Sequence, residues 1–322
     1  MNNEENLLNQ STHITFEQAR KSIEEMNLIN GFLFDSTLEN EEEAKIVVGN
    51  ILKAVFYRDF NILSVISQKP IQSVDTKYHG IRLDVQISET KDGQKPSATI
   101  YDMEMEDRPS DRKYLPKRLR YYNALHDVKR LEANNSYDLL PDYISIVISS
   151  YDPFDAGDMY YESRSTLITH PDISYENGIR NIFLYCSGKP NFTGPNALIS
   201  LAPEHGKRLQ EMLKYIVSGE KPTTNSDIDE IDEIVTKVKG RKEVTTAFMK
   251  QWDRELSIKR DTRIETRIET KREDALEDIR FDLENGIPID VTRRRLQKNY
   301  GYDNETIEEL FAQIESESMV NQ

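Results

Sequence analysis

Acidic side chains recur at every second position from Asp102 in Ile100-Tyr101-Asp102-Met103-Glu104-Met105-Glu106, and a further aspartate stands fifth in the run Gly80-Ile81-Arg82-Leu83-Asp84-Val85. Both segments alternate as β-strands do, with successive side chains on opposite faces. Asp102, Glu104 and Glu106 then share one face at spacings of about 6.5 to 7 Å, and Tyr101, Met103 and Met105 share the other. Like charges so placed repel one another. A hard cation, Mg²⁺ or Mn²⁺, bound through oxygen removes that penalty and activates a water for attack on a phosphate. The competing reading is the solvated face of a hairpin, in a chain of which 31% is charged.

The register of the two strands bears on the choice. A two-residue turn at Asp92-Gly93, a dipeptide that favours such turns, sets Asp84 opposite Tyr101 and turns the acids of the two strands apart. A three- or five-residue loop within Lys91 to Lys95 shifts the pairing by one and brings Asp84 onto the face of Glu104. A metal site shared by directly paired strands therefore requires an odd-length connection.

Straight after the acids the chain becomes basic and aromatic. Between Arg112 and Arg130, seven Lys or Arg stand against one acid, Asp127. Such a stretch suits either the guiding of a phosphate backbone past the carboxylates or a solvated helix face. Lys117, Arg118, Arg120 and Tyr122 are its candidate nucleic-acid contacts. Arg118, near the end closest to the acids, has the planar fork that fits a phosphate, or else forms a surface ion pair. Leu115, Leu119, Tyr122, Leu125 and Val128 recur every three or four residues and read as the stripe packed on the sheet, which also makes Tyr122 a core candidate.

Taken in order, Gly80-Ile81-Arg82-Leu83-Asp84-Val85, the Asp-x-Glu-x strand from Asp102, Leu115-Pro116-Lys117-Arg118-x-Arg120-Tyr121-Tyr122 and Tyr151-Asp152-Pro153-Phe154 resemble the PD-(D/E)XK nuclease family transposases, also called Rpn recombination-promoting nucleases. The likeness spans roughly residues 28–220. It implies a restriction-endonuclease-like α/β core, a mixed central sheet flanked by helices, and a Mg²⁺- or Mn²⁺-dependent DNA endonuclease with a part in recombination or mobile-element transfer. By this resemblance Asp84 matches the metal-binding aspartate and Glu104 the glutamate of the E-x-K or E-x-Q element. Glu106 departs from the pattern, since Lys or Gln normally stands there to orient or polarise the attacking water. A glutamate acts instead as a further ligand or, with a raised pKa, as a proton acceptor. Nucleases of this fold often carry an acidic ligand on the helix before the sheet. Glu43 is the candidate, its other reading being an acid that complements the helix macrodipole. The alternative function is a catalytically degenerate nuclease fold serving as a scaffold for nucleic acid or protein.

A net charge of −15 and a pI near 5.0 argue against a nonspecific, histone-like DNA coat. Cys186 is the only cysteine, so no internal disulfide forms, and no Cys/His cluster has zinc spacing. His79 and His126 lie near enough to the motifs to touch substrate, but read more simply as surface or partly packed imidazoles. No opening apolar run resembles a signal peptide and no stretch of about 20 apolar residues could cross a bilayer, so a cytoplasmic, reducing location without a membrane partner is the default.

Residues 1–27 form a polar N-terminal segment, 28–220 the nuclease-like domain and 221–322 a helical C-terminal region. Asn40 to Phe56 has helical spacing behind an acidic start, Asn61 to Gln68 reads as a short strand and Tyr143 to Ser149 as a central one. Arg164 to Ile168 and Asn181 to Cys186 supply two more, and His205 to Val217 a helix. Gly219 to Asn225 punctuates the chain before the C-terminal helices. There the tandem repeat Arg263-Ile264-Glu265-Thr266-Arg267-Ile268-Glu269-Thr270 suits a solvent-laced helix or one that pairs in a homo-oligomer. Val291 to Asn299 and Asn304 to Ile314 form a last helical pair about Gly301. Arg293-Arg294-Arg295 could meet phosphates, but Glu305, Glu308 and Glu309 oppose that, and the pair reads as a packing or partner module.

Overall fold

The computed structural model describes residues 13–71, 81–89, 99–131, 136–190 and 203–320; for some of these, Asp84 among them, it describes the backbone alone. His79 and the Asp92-Gly93 dipeptide lie outside the described residues. The fold is α/β, a mixed six-stranded sheet flanked by helices with a helical C-terminal region. Thr15–Phe248 form one compact unit, and a second runs from Met249 and takes in His13 and Ile14.

The first unit begins with a helix inside the segment expected to be merely polar. α1 (Phe16–Glu25) starts at Thr15, whose hydroxyl accepts from the Gln18 amide while the Gln18 side chain accepts from the Thr15 amide. This reciprocal Thr-x-x-Gln capping box satisfies two amides that the first turn leaves open. Asn30 caps α2 (Gly31–Thr37) by accepting from the amides of Phe32 and Leu33. Asn40 caps α3 (Glu41–Phe56) by accepting from the amides of Glu42 and Glu43 at 3.1 Å each.

The strands are β1 (Ile62–Ile71), β2 (Ile81–Glu89), β3 (Ile100–Glu106), β4 (Tyr143–Ser149), β5 (Tyr160–Arg164) and β6 (Ile179–Tyr185), in the order β1-β2-β3-β4-β6-β5. β1, β2 and β3 are antiparallel, β3, β4 and β6 parallel, and β5 returns antiparallel at the edge. β4 is central and buried throughout, as its continuous apolar run predicts. The fifth strand lies earlier than Arg164 to Ile168. Tyr160 and Tyr161 pair with Leu184 and Phe183, whereas Ile168 is 89% exposed and has nothing to pack on.

Helices cover both faces. Tyr101, Met103 and the even-numbered positions of β4 and β6 meet the layer of α2 and α3, where the Tyr101 ring lies 5.6 Å from that of Phe56. α5 (Pro203–Ser218) and α6 (Ser226–Lys239) pack on α3, burying Leu209, Met212 and Leu213 from one and Ile228, Ile231 and Val238 from the other. The Gly219–Asn225 punctuation thus separates α5 from α6 within a single unit.

The opposite face is covered by α4 (Leu115–Arg130), which follows β3 through a 3₁₀ turn at Pro109–Tyr114. Leu115 and Leu119 are buried against Val147 and Phe183 as expected, with Tyr122 partly buried beside them. Val128 is not part of that stripe; it is 58% exposed, and Asn123 and His126 are buried instead. The helix lies over a polar strand face, so its inward side is polar in part.

In the second unit, the C-terminal part of α7 (Lys242–Glu284) packs with α8 (Ile289–Tyr300) and α9 (Asn304–Val320) around Ala275, Ile279, Leu296, Ile307 and Leu310. Gly301 ends α8 at φ 67°, a left-handed cap that suits glycine. Arg293 pairs with Glu308 and Arg295 with Asp278 and Asp282, so two of the three adjacent arginines serve packing. Among the described residues no helix is long and apolar enough to cross a membrane.

Candidate metal and nucleic-acid site

Three facts of strand geometry assemble the acids. β3 presents Asp102, Glu104 and Glu106 to the α4 side, because Tyr101 and Met103 are committed to the other. β2 pairs with β3 so that Val85 faces Met103 and Gln86 faces Asp102. Carrying that register one residue further sets position 84 opposite Glu104, the parity that an odd-length connection requires.

The acidic face is not solvated. Asp102 is 1% exposed and Glu104 5%, and α4 closes over them. Arg118, from the first turn of α4, donates from Nη2 to Glu104 Oε2 at 3.0 Å and to Glu106 Oε1. Burial alone would lower the Arg118 pKa, but the two carboxylates outweigh it and hold the guanidinium pKa above its usual value. Arg118 is therefore the counter-ion of the acid pair in this structure, rather than a cation turned outward to a phosphate.

A polar layer continues along the same interface. Gln86 lies with its Nε2 3.4 Å from His126 Nδ1 and accepts from Arg130 Nη2 at 3.3 Å. The His126 ring is 4.5 Å from that of Tyr143, so this histidine is an interior group rather than a surface one. Burial and the nearby Asp102 carboxylate push the Tyr143 hydroxyl pKa far up. Tyr151 does the same beside Glu106, its pKa pushed up to about 12 by burial and by that carboxylate. The sequence motif that includes Tyr151 does not place it beside the acids, and nothing marks Tyr143 as their neighbour, because both positions depend on the parallel pairing of β3 with β4 and on the loop beyond it.

The Tyr151-Asp152-Pro153-Phe154 motif has a structural explanation. Asp152 accepts from the amides of Phe154 at 2.9 Å and Gly157 at 2.6 Å and from the Tyr161 hydroxyl at 2.9 Å. Burial opposes ionisation, yet these donors hold its pKa below the usual carboxylate value. The turn seats Phe154 edge-on against Phe183 and Tyr161, under the start of α4, and Arg112 ties it down through Asp155 and the Pro153 carbonyl.

The remaining candidates fall elsewhere. Glu43 is on α3, across the sheet from the Glu104 face, and pairs with Lys237 and Arg241 at 2.6 Å each, fastening α3 to the end of α6. Lys117 and Arg120 are exposed on the outer side of α4. Tyr122 turns inward to the Leu115 cluster, with the Arg118 guanidinium 6.0 Å from its ring centroid. Among the described residues no three His, Cys, Asp or Glu side chains are gathered as a metal ion needs, and the Asp84 side chain is not among those described.

The donors present do suit a hard cation. Glu104 and Glu106 each turn one carboxylate oxygen to a single cationic nitrogen, an all-oxygen arrangement of the kind Mg²⁺ prefers. No family model, curated protein or solved structure matches the chain.

Proposed function

We propose that the chain is a metal-dependent DNA endonuclease of the PD-(D/E)XK type, with a restriction-endonuclease-like core and a part in DNA recombination or mobile-element transfer. The observations that carry this reading are the pairing of Val85 with Met103 and of Gln86 with Asp102, a register that, carried one residue further, sets position 84 opposite Glu104, and the convergence of Glu104 and Glu106 on Arg118. Mg²⁺ or Mn²⁺ held by Asp84, Glu104 and Glu106 would supply Lewis acidity and an activated water. Arg118 balances the carboxylates when the substrate is absent. With a metal ion taking over the charge of these carboxylates, the Arg118 guanidinium would be available to hold a phosphate oxygen. Glu106, where Lys or Gln is usual in the family, acts as ligand or proton acceptor.

A second reading has its own support. The Arg118 bridge already neutralises Glu104 and Glu106, which is what a nuclease fold retained as a nucleic-acid or protein scaffold would need. Incubation of supercoiled plasmid with Mg²⁺, Mn²⁺ or EDTA separates the two, using native protein and folded Asp84→Ala and Glu104→Ala variants. Metal-dependent nicking lost in both variants supports the nuclease. Absence of cleavage, or equal cleavage by all three proteins, supports the scaffold.

A further inference from the structure

The outer side of α4 carries a pattern that the carboxylates do not use. Tyr114, at the N-cap, and Tyr121, two turns on, are 56% and 36% exposed. They lie about 10 Å apart along the axis, with Lys117 between them on the same stripe. Lys113 and Arg120 flank that stripe, and the Lys113 Nζ sits 4.8 Å from the centroid of the Tyr114 ring. Arg112 and Arg118 are engaged by Asp155 and by the acid pair, whereas Lys113, Lys117 and Arg120 are exposed and enter no ion pair among the described residues.

We infer that this stripe binds a single-stranded polynucleotide, with unpaired bases stacked on Tyr114 and Tyr121 and the intervening phosphates on Lys113, Lys117 and Arg120. Exposed rings spaced along a basic track match what an unpaired strand offers, since each of its bases has a free aromatic face. A duplex hides those faces in its stack and would engage the cations alone. On a chain of net charge −15, such a confined basic track is a local attraction for a polyanion. The inference deepens the nuclease reading and rests on it for the strand's destination, because Lys117 is the neighbour of Arg118, which reaches Glu104.

Fluorescence anisotropy in EDTA, where cleavage plays no part, tests it with a labelled oligothymidine of about 20 nucleotides and a duplex of equal length. The Tyr114→Ala/Tyr121→Ala protein should bind the single strand at least about tenfold more weakly, with duplex binding nearly unchanged, while Tyr114→Phe/Tyr121→Phe keeps the native affinity. Lys117→Ala should lower the slope of log affinity against log salt by about 0.7. Native single-strand affinity in the double alanine protein, equal losses on both probes, or an acidic peptide that binds as tightly as the oligonucleotide would each overturn the inference. Metal-dependent plasmid nicking that survives such a result keeps the nuclease reading; a stacking effect without nicking removes the nuclease reading alone.

Discussion

Arg118 reaches Glu104 from the facing helix at 3.0 Å and holds Glu106 with the same Nη2, so one guanidinium nitrogen bridges two carboxylates at the interface of α4 and β3. A bridge of this kind suppresses the repulsion of the acids and leaves them dependent on a cation. Its removal has a pH signature. Arg118→Met should destabilise the fold by about 3 kcal/mol at neutral pH, because buried carboxylates lose their partner. Glu104, buried and then without its counter-ion, is easier to protonate in the folded variant than in the unfolded chain, so the deficit shrinks on acidification. Urea unfolding at pH 7 and pH 5 checks this, and an equal deficit at both contradicts it.

His205 bridges two helices. Its Nε2 lies 3.0 Å from the carbonyls of Ala54 and Val55 at the end of α3, and the ring stacks on Tyr57 at 5.0 Å. Burial lowers its pKa from the ordinary 6.5, opposed in part by those carbonyls. A lowered folded pKa means that the unfolded chain binds the proton more readily, so stability is full above the unfolded value and falls as the pH drops below about 6.5. His205→Gln, which can still donate to a carbonyl, should flatten that slope in denaturant titrations between pH 7.5 and 5.

Glu43 offers the opposite test of its role. The hydrogen bond from Lys237 is the largest influence on its pKa and, joined by Arg241, holds it below the usual value although burial raises it. Its contribution is present above the unfolded carboxylate pKa and lost as pH falls through the lower folded one. Glu43→Gln should cost about 1 to 2 kcal/mol at pH 7 and little near pH 3. If Glu43 were instead a metal ligand, added Mn²⁺ would stabilise the native protein and not the variant.

Asp152→Ala removes the acceptor shared by two amides and the Tyr161 hydroxyl, and should destabilise by about 1 to 3 kcal/mol. Asp152→Asn, which keeps one acceptor oxygen, should recover part of the loss. Thermal unfolding of the two variants separates this turn-forming role from one in catalysis.

Much of this arrangement is legible in the chain because it is local. Alternation in Ile100 to Glu106 identifies the strand and the shared face of its acids, and the apolar run of Tyr143 to Ser149 identifies the centre of the sheet. What escapes is non-local or runs against apolar patterning. The pairing of Gln86 with Asp102 is compatible with only one parity of connection, which composition does not fix. The exposed Val128 and buried His126 invert the apolar stripe of α4, because the face it covers carries acids. α1 was within reach, since Thr15 and Gln18 form a capping box in a segment whose polarity reads as lack of structure.

Diffraction from crystals soaked in Mn²⁺, with an anomalous map, tests the central claim most directly. The account predicts a peak bonded to carboxylate oxygens of Glu104 and Asp84, with the Arg118 guanidinium moved off them. The absence of a peak at saturating Mn²⁺, with Arg118 still bridging Glu104 and Glu106, would contradict it.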